Sequence, residues 1–221
     1  MKDFLVSNLP MFIWLITAIE VVFAVILSIA LKKKKHPILL CVLLIDLGLF
    51  LDAFFIAMGS VVVLPIWLSR VRFIAHGMLI PLMFPICGYA LKLPCKYVKA
   101  VWVFTGLIMV LGLAQSLAIV LEIKEIGGII RHVSSDSSPA WAESISSMLS
   151  YGTVVPVIIV GIWVWIKQKT PYLFLSGFLM FAFAALGPAT GNFDLIFFIS
   201  MIGEVFLILF FYLYSNYYLK K

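Results

Sequence analysis

Charge is scarce in this chain, and its absences narrow the possibilities quickly. Of 221 residues only 12% are Asp, Glu, Lys or Arg, against about 25% in a soluble domain. There are three cysteines, Cys41, Cys87 and Cys95. None falls in a segment assigned below to the outside, so no disulfide framework is available there. The histidines His36, His76 and His132 sit on an inner edge, in an apolar span and in an outer loop. With no His-x-x-x-His and no paired Cys, no metal site is expected. No Lys lies within an apolar run, which leaves a retinal Schiff base without an attachment point. A Gly-x-Ser-x-Gly elbow, a phosphate loop and Gly-x-Gly-x-x-Gly are all missing, so no cofactor is expected either. Asn8, Asn192 and Asn216 all lack the glycosylation sequon. These absences fit a bacterial cytoplasmic membrane.

What remains is hydrocarbon. Hydrophobic residues make up 64% of the chain, the composition of a polytopic membrane protein whose first partner is the lipid bilayer. The net charge of +6 does not indicate nucleic acid, because the charges are confined to termini and short loops. About 20 apolar residues cross a bilayer core. That template predicts an all-α bundle of seven transmembrane helices in a single domain over 1–221, with spans near 10–31, 37–59, 71–91, 100–122, 149–166, 172–190 and 193–217. The first span reads as a retained helix and not a cleaved signal, because it is long and Lys32, Lys33, Lys34 and Lys35 follow it.

Orientation follows from Lys and Arg. With the N-terminus outside and the C-terminus cytoplasmic, the inner segments hold 11 of these residues and the outer ones 5. The long connection, 123–148, then lies outside. It carries Gly127-Gly128 and a polar stretch ending at Ser138-Pro139, which suits an N-cap and first helical position. Trp141, Ile145 and Met148/Leu149 follow at helical spacing, so a short helix lying on the outer leaflet is expected there. No internal repeat is visible.

Against this background, buried ionisable groups stand out, since a central charge costs about 2.5–3.5 kcal/mol even on lenient scales. With a rise of about 1.5 Å per residue, Glu20, Asp46 and Glu204 fall near the midplane. Asp52 and His76 lie nearer the outer surface, and Arg70, Arg72 and Asp194 higher still. Arg72 and His76 are four apart, hence on one face of span 3. Gly48 shares a face with Asp52. The prolines Pro81 and Pro85 predict a kink in span 3.

These residues suggest a polar path opening outward, with Arg72, Asp194, His76 and Asp52 above a floor of Glu20, Asp46 and Glu204. Three carboxyls without a cation at their depth cannot all carry charge, so at least one is expected to rest protonated. Three function classes follow. The first is a small proton-coupled transporter or permease, using the midplane acids as protonation sites and a small molecule and protons as ligands. The second is a membrane enzyme acting on a lipid from the outer leaflet, with Asp52 or His76 as base and Arg72 or Arg70 holding a phosphate. The third is a non-catalytic accessory or sensor protein, in which Asp52–Arg72 or Asp52–His76 is only a structural ion pair. Depth favours the first, because a lipid hydrolase would place its reactive groups near the headgroups.

Overall fold

A computed structural model describes residues 2–189 and 193–220, with side chains from 5 to 186 and from 195 to 220. Six stretches are long and apolar enough to cross a membrane, and Tyr172–Leu186 is a shorter apolar helix. The build is that of a multi-pass membrane protein. The outward faces agree: Val22, Val25 and Ile29 on one helix and Val103, Leu107 and Val110 on another are exposed at helical spacing. Such surface is stable against lipid and not against water.

A short α1 (Lys2–Ser7) leads into α2 (Leu9–Lys34), followed by α3 (Pro37–Met58). The third span comes as α4 (Ile66–Leu79), a 3-10 turn (Ile80–Leu82) and α5 (Met83–Ala90). The turn falls at Pro81, which cannot donate to the helix ladder. Then come α6 (Cys95–Ala118), strands β1 (Leu121–Ile126) and β2 (Ile129–Ser134), α7 (Ala140–Gln168), α8 (Tyr172–Ala189) and α9 (Phe193–Tyr218). Neighbours in sequence pack together, and α9 returns against α2 and α3 to close the bundle.

Three of the connections share one construction. Lys35-His36-Pro37, Lys92-Leu93-Pro94 and Lys169-Thr170-Pro171 join α2 to α3, α5 to α6, and α7 to α8. Each Lys has a left-handed backbone, with φ of 42°, 52° and 58°. Each amide closes the preceding helix, for example Lys35 N–H to the Leu31 carbonyl at 2.8 Å and Lys169 N–H to Trp165 at 3.1 Å. The cation sits where the helix dipole is negative, and the proline starts the next helix. A repeating turn is therefore present although no internal repeat is visible in the sequence. The same end is tied by the Gln168 side-chain amide donating to the Ala90 carbonyl at 2.8 Å and by the Tyr217 hydroxyl donating to the Gln168 carbonyl.

The connection at the other end differs from expectation. Instead of an unstructured link and a separate surface helix, residues 121–134 form an antiparallel hairpin, and α7 runs unbroken for 29 residues from Ala140. The span expected at 149–166 and the expected surface helix are one helix. Gly127 and Gly128 have φ of 57° and 77°, the pair of positive values that a two-residue hairpin turn needs. On β2, Ile129 is fully buried against Leu9, Ile13, Ala53 and Ile56. Burying such a side chain is worth about 1.5–3 kcal/mol. The hairpin is thereby folded onto the ends of α2, α3 and α9 opposite the Lys-x-Pro turns, the ends called outer after the Lys and Arg count.

Candidate functional site

The buried apolar residues form two large clusters, one on either side of a polar layer. The outer cluster takes Leu9, Ile13 and Ile16 from α2, Ala53 to Ala57 from α3, and Leu195 to Met201 from α9. The inner cluster takes Leu27, Ile38 to Leu49, and Leu207 to Tyr214 from the same helices. Glu20, Asp52 and Glu204 fall in the gap, with Asp46 at the inner edge. Glu20 lies within electrostatic reach of Glu204, Asp46 and Asp52. Glu20 of α2 is therefore the acid that stands between Asp46 and Asp52 of α3 and Glu204 of α9.

Their environments are bare. Glu20 and Asp46 are 0% exposed, and neither oxygen of either carboxyl has a hydrogen-bond partner among the described residues. Glu204 is 6% exposed, and its Oε2 likewise lacks one. A buried polar group without a partner costs roughly 1–3 kcal/mol. Three such carboxyls at one level form a concentrated cost that packing does not explain.

The outer layer is built differently. Arg72 Nε lies 3.0 Å from Asp52 Oδ1, a contact that is Coulombic and not an aligned hydrogen bond. Arg72 Nη2 donates to the His132 carbonyl at 3.1 Å, and Ser69 Oγ meets His132 Nδ1 at 2.9 Å. Ile130 N–H adds a bond to the Gly59 carbonyl at 3.0 Å. The hairpin is thus latched to α3 and α4 across the end where an open mouth is expected. Arg131 is drawn in as well, its guanidinium 3.9 Å over the Phe197 ring. Burial pulls the Arg131 pKa down to about 10.

Arg70 does not reach for headgroups. Its Nη1 donates to the carbonyls of Ser116, Leu117 and Ile119 at 2.9, 3.0 and 3.2 Å, capping α6. Asp194 belongs to α9, but its side chain lies outside the described residues. Gly48 packs against Leu79, as a small residue beside Asp52 must where helices approach closely. A tighter approach occurs between Gly77 and Gly112, where a β-carbon on Gly112 would fall 2.0 Å from the Gly77 carbonyl oxygen. This crossing of α4 and α6 sets the position of His76, one residue away.

Two cavities occupy the polar layer. The first, about 250 Å³, is lined by Asp52, Arg72, His76 and Gln115 and by Ser146 and Ser150 of α7. The second, about 260 Å³, is lined by His76, Glu204, Ser200, Tyr151 and Phe181 among mainly apolar residues. His76, Ile80 and Ser150 belong to both walls. His76 is therefore the shared group between the Asp52–Arg72 pair and Glu204. Gln115 and Ser150 were not anticipated. Each lies within an apolar stretch, and a single polar residue on a long helix carries no mark of the direction it faces. The readable signal for Arg131 and His132 is the Gly127-Gly128 pair that follows the alternation Leu121-Glu122-Ile123-Lys124.

No family model matches this chain, and no curated protein is similar to it.

Proposed function

We propose that this protein is a proton-coupled carrier of a small solute, with Glu204 as the proton-exchanging group. The observation that carries this reading is a nearly buried carboxyl with an unpartnered oxygen in the wall of a cavity. Such a group changes charge when a solute or proton arrives. His76 shares both cavities and is placed to relay protons between Glu204 and the side where Asp52 pairs with Arg72. Glu20 and Asp46 hold the negative potential of the layer. Orientation in this reading keeps the N-terminus outside and the C-terminus in a bacterial cytoplasm, because the three Lys-x-Pro turns then all face inward.

The test uses proteoliposomes containing a trapped pH dye. Amines, amino acids and carboxylates are added in turn to the outside. At least one class should move protons in the parent protein and fail to do so in Glu204→Gln. If no class moves protons in the parent, the carrier reading is wrong. Lipid turnover remains a second reading, supported by the exposed Ser146 and Ser150 beside Asp52 and Arg72 at the first cavity. Phospholipid hydrolysis by the detergent-solubilised parent, lost in Asp52→Asn, would favour it instead.

A further inference from the structure

We infer that the second cavity binds a compact lipophilic organic cation, which takes the place of the proton on Glu204. This rests on the carrier reading and names its solute. The cavity wall contains Glu204 as its only acid and has no Lys or Arg among the described residues. The same wall carries Tyr151, Phe181, Met83 and Met180, aromatic rings that attract a weakly hydrated cation and polarisable thioethers that pack against its apolar substituents. A carboxylate in such surroundings needs a positive partner, and the protein supplies none at that position. A neutral solute leaves the charge unanswered, and an anion is repelled.

The charged and titratable groups facing Glu204 fit the same assignment. Glu20 comes from α2, Asp52 from α3, and Arg72 and His76 from α4. Arg72 is already engaged by Asp52, so neither Arg nor Lys is left free there to answer a Glu204 carboxylate. A volume of about 260 Å³ lies below the roughly 300 Å³ at which drug-sized pockets begin, so the cation is compact. The way in is lateral. The hairpin lies across the outer end and the tyrosine ties lie at the other, whereas Tyr151 is 62% and Phe181 40% exposed on the bundle's side. A solute using that opening comes through lipid, which requires apolar substituents around its charge. The exchange balances simply: the carboxyl O–H breaks, its proton leaves, and the cation pairs with the carboxylate without a new covalent bond.

Benzyltrimethylammonium is the probe, with neopentylbenzene as its neutral isostere and benzenesulfonate as an anion. Purified full-length protein is dialysed against each, and proton release is followed in weak buffer. The cation should bind saturably and release one proton per molecule. Its apparent affinity should fall about tenfold per unit decrease in pH where the carboxyl holds its proton, as competition for one site requires. Glu204→Gln should weaken binding at least tenfold. Ala184→Leu, which fills the cavity with the acid intact, should do the same, so the inference does not depend on one variant folding. Equal binding of the neutral isostere, binding unchanged in both variants, or binding without proton release would overturn it. Glu204-dependent proton flux triggered only by carboxylates or amino acids, with no cation binding, overturns this inference and leaves the carrier reading standing.

Discussion

The outer and middle levels of the bundle hold the same kinds of side chain and treat them in opposite ways. At the outer level Asp52 has Arg72, Arg72 has the His132 carbonyl, and His132 has Ser69. At the middle level Glu20 and Asp46 have no hydrogen-bond partner among the described residues, and Glu204 leaves one oxygen bare. Partnered charge fastens the hairpin to the helices. The unpartnered carboxyls fasten nothing, and among them Glu204 lines a cavity. The contrast separates a partnered polar layer from an unpartnered one, which depth alone cannot do.

One substitution applied at both levels gives the sharpest break. Leu branches at Cγ as Asp does, so Asp52→Leu and Asp46→Leu remove charge and hydrogen bonding while adding the same bulk at both levels. Asp52→Leu leaves Arg72 without its counter-ion and should cost about 3–5 kcal/mol of unfolding free energy, measured in mixed micelles. Asp46→Leu removes a buried group without a partner and should instead stabilise by about 1–2 kcal/mol. If both changes destabilise equally, Asp46 has a structural role and the distinction between the levels fails.

A smaller effect concerns pH at the latch. Burial and the Arg72 charge hold the His132 pKa below its ordinary value of 6.5. The folded state thus keeps this ring neutral, and the unfolded chain binds the proton more readily. The latch contributes fully above about pH 6.5, and that contribution is lost as pH falls below it. His36, also held low by burial, acts in the same window. Thermal stability should therefore decline from pH 7.5 to 5, and His132→Gln should flatten part of that decline. An unchanged pH profile in His132→Gln would remove the ring from the latch.

Much of this arrangement follows from length and rise. Apart from the start of α7, apolar runs of about 20 residues place the helices within a few positions of where they lie, because a bilayer sets one dimension of each. A rise of about 1.5 Å per residue puts Glu20, Asp46 and Glu204 at one level. Which of them meet depends on rotation about each helix axis and on helix order, and spans that are apolar all round do not encode these. The hairpin is legible in retrospect. Leu121-Glu122-Ile123-Lys124 alternates ahead of Gly127-Gly128, but Ile129-Ile130-Arg131-His132 after it does not, and the same stretch also suits a polar connector. The Lys-x-Pro turns escape a search for repeats because the signal is three residues long and the helices between differ.

Glu204 is the central group of the proposed carrier, and the most direct measurement is solute-triggered proton flux in proteoliposomes holding equal amounts of folded parent and Glu204→Gln. The prediction is flux in the parent and at least a tenfold loss in the variant, with a melting temperature that is equal or higher. Equal flux from both proteins would show that the unpartnered carboxyl in the cavity wall is not where the work is done.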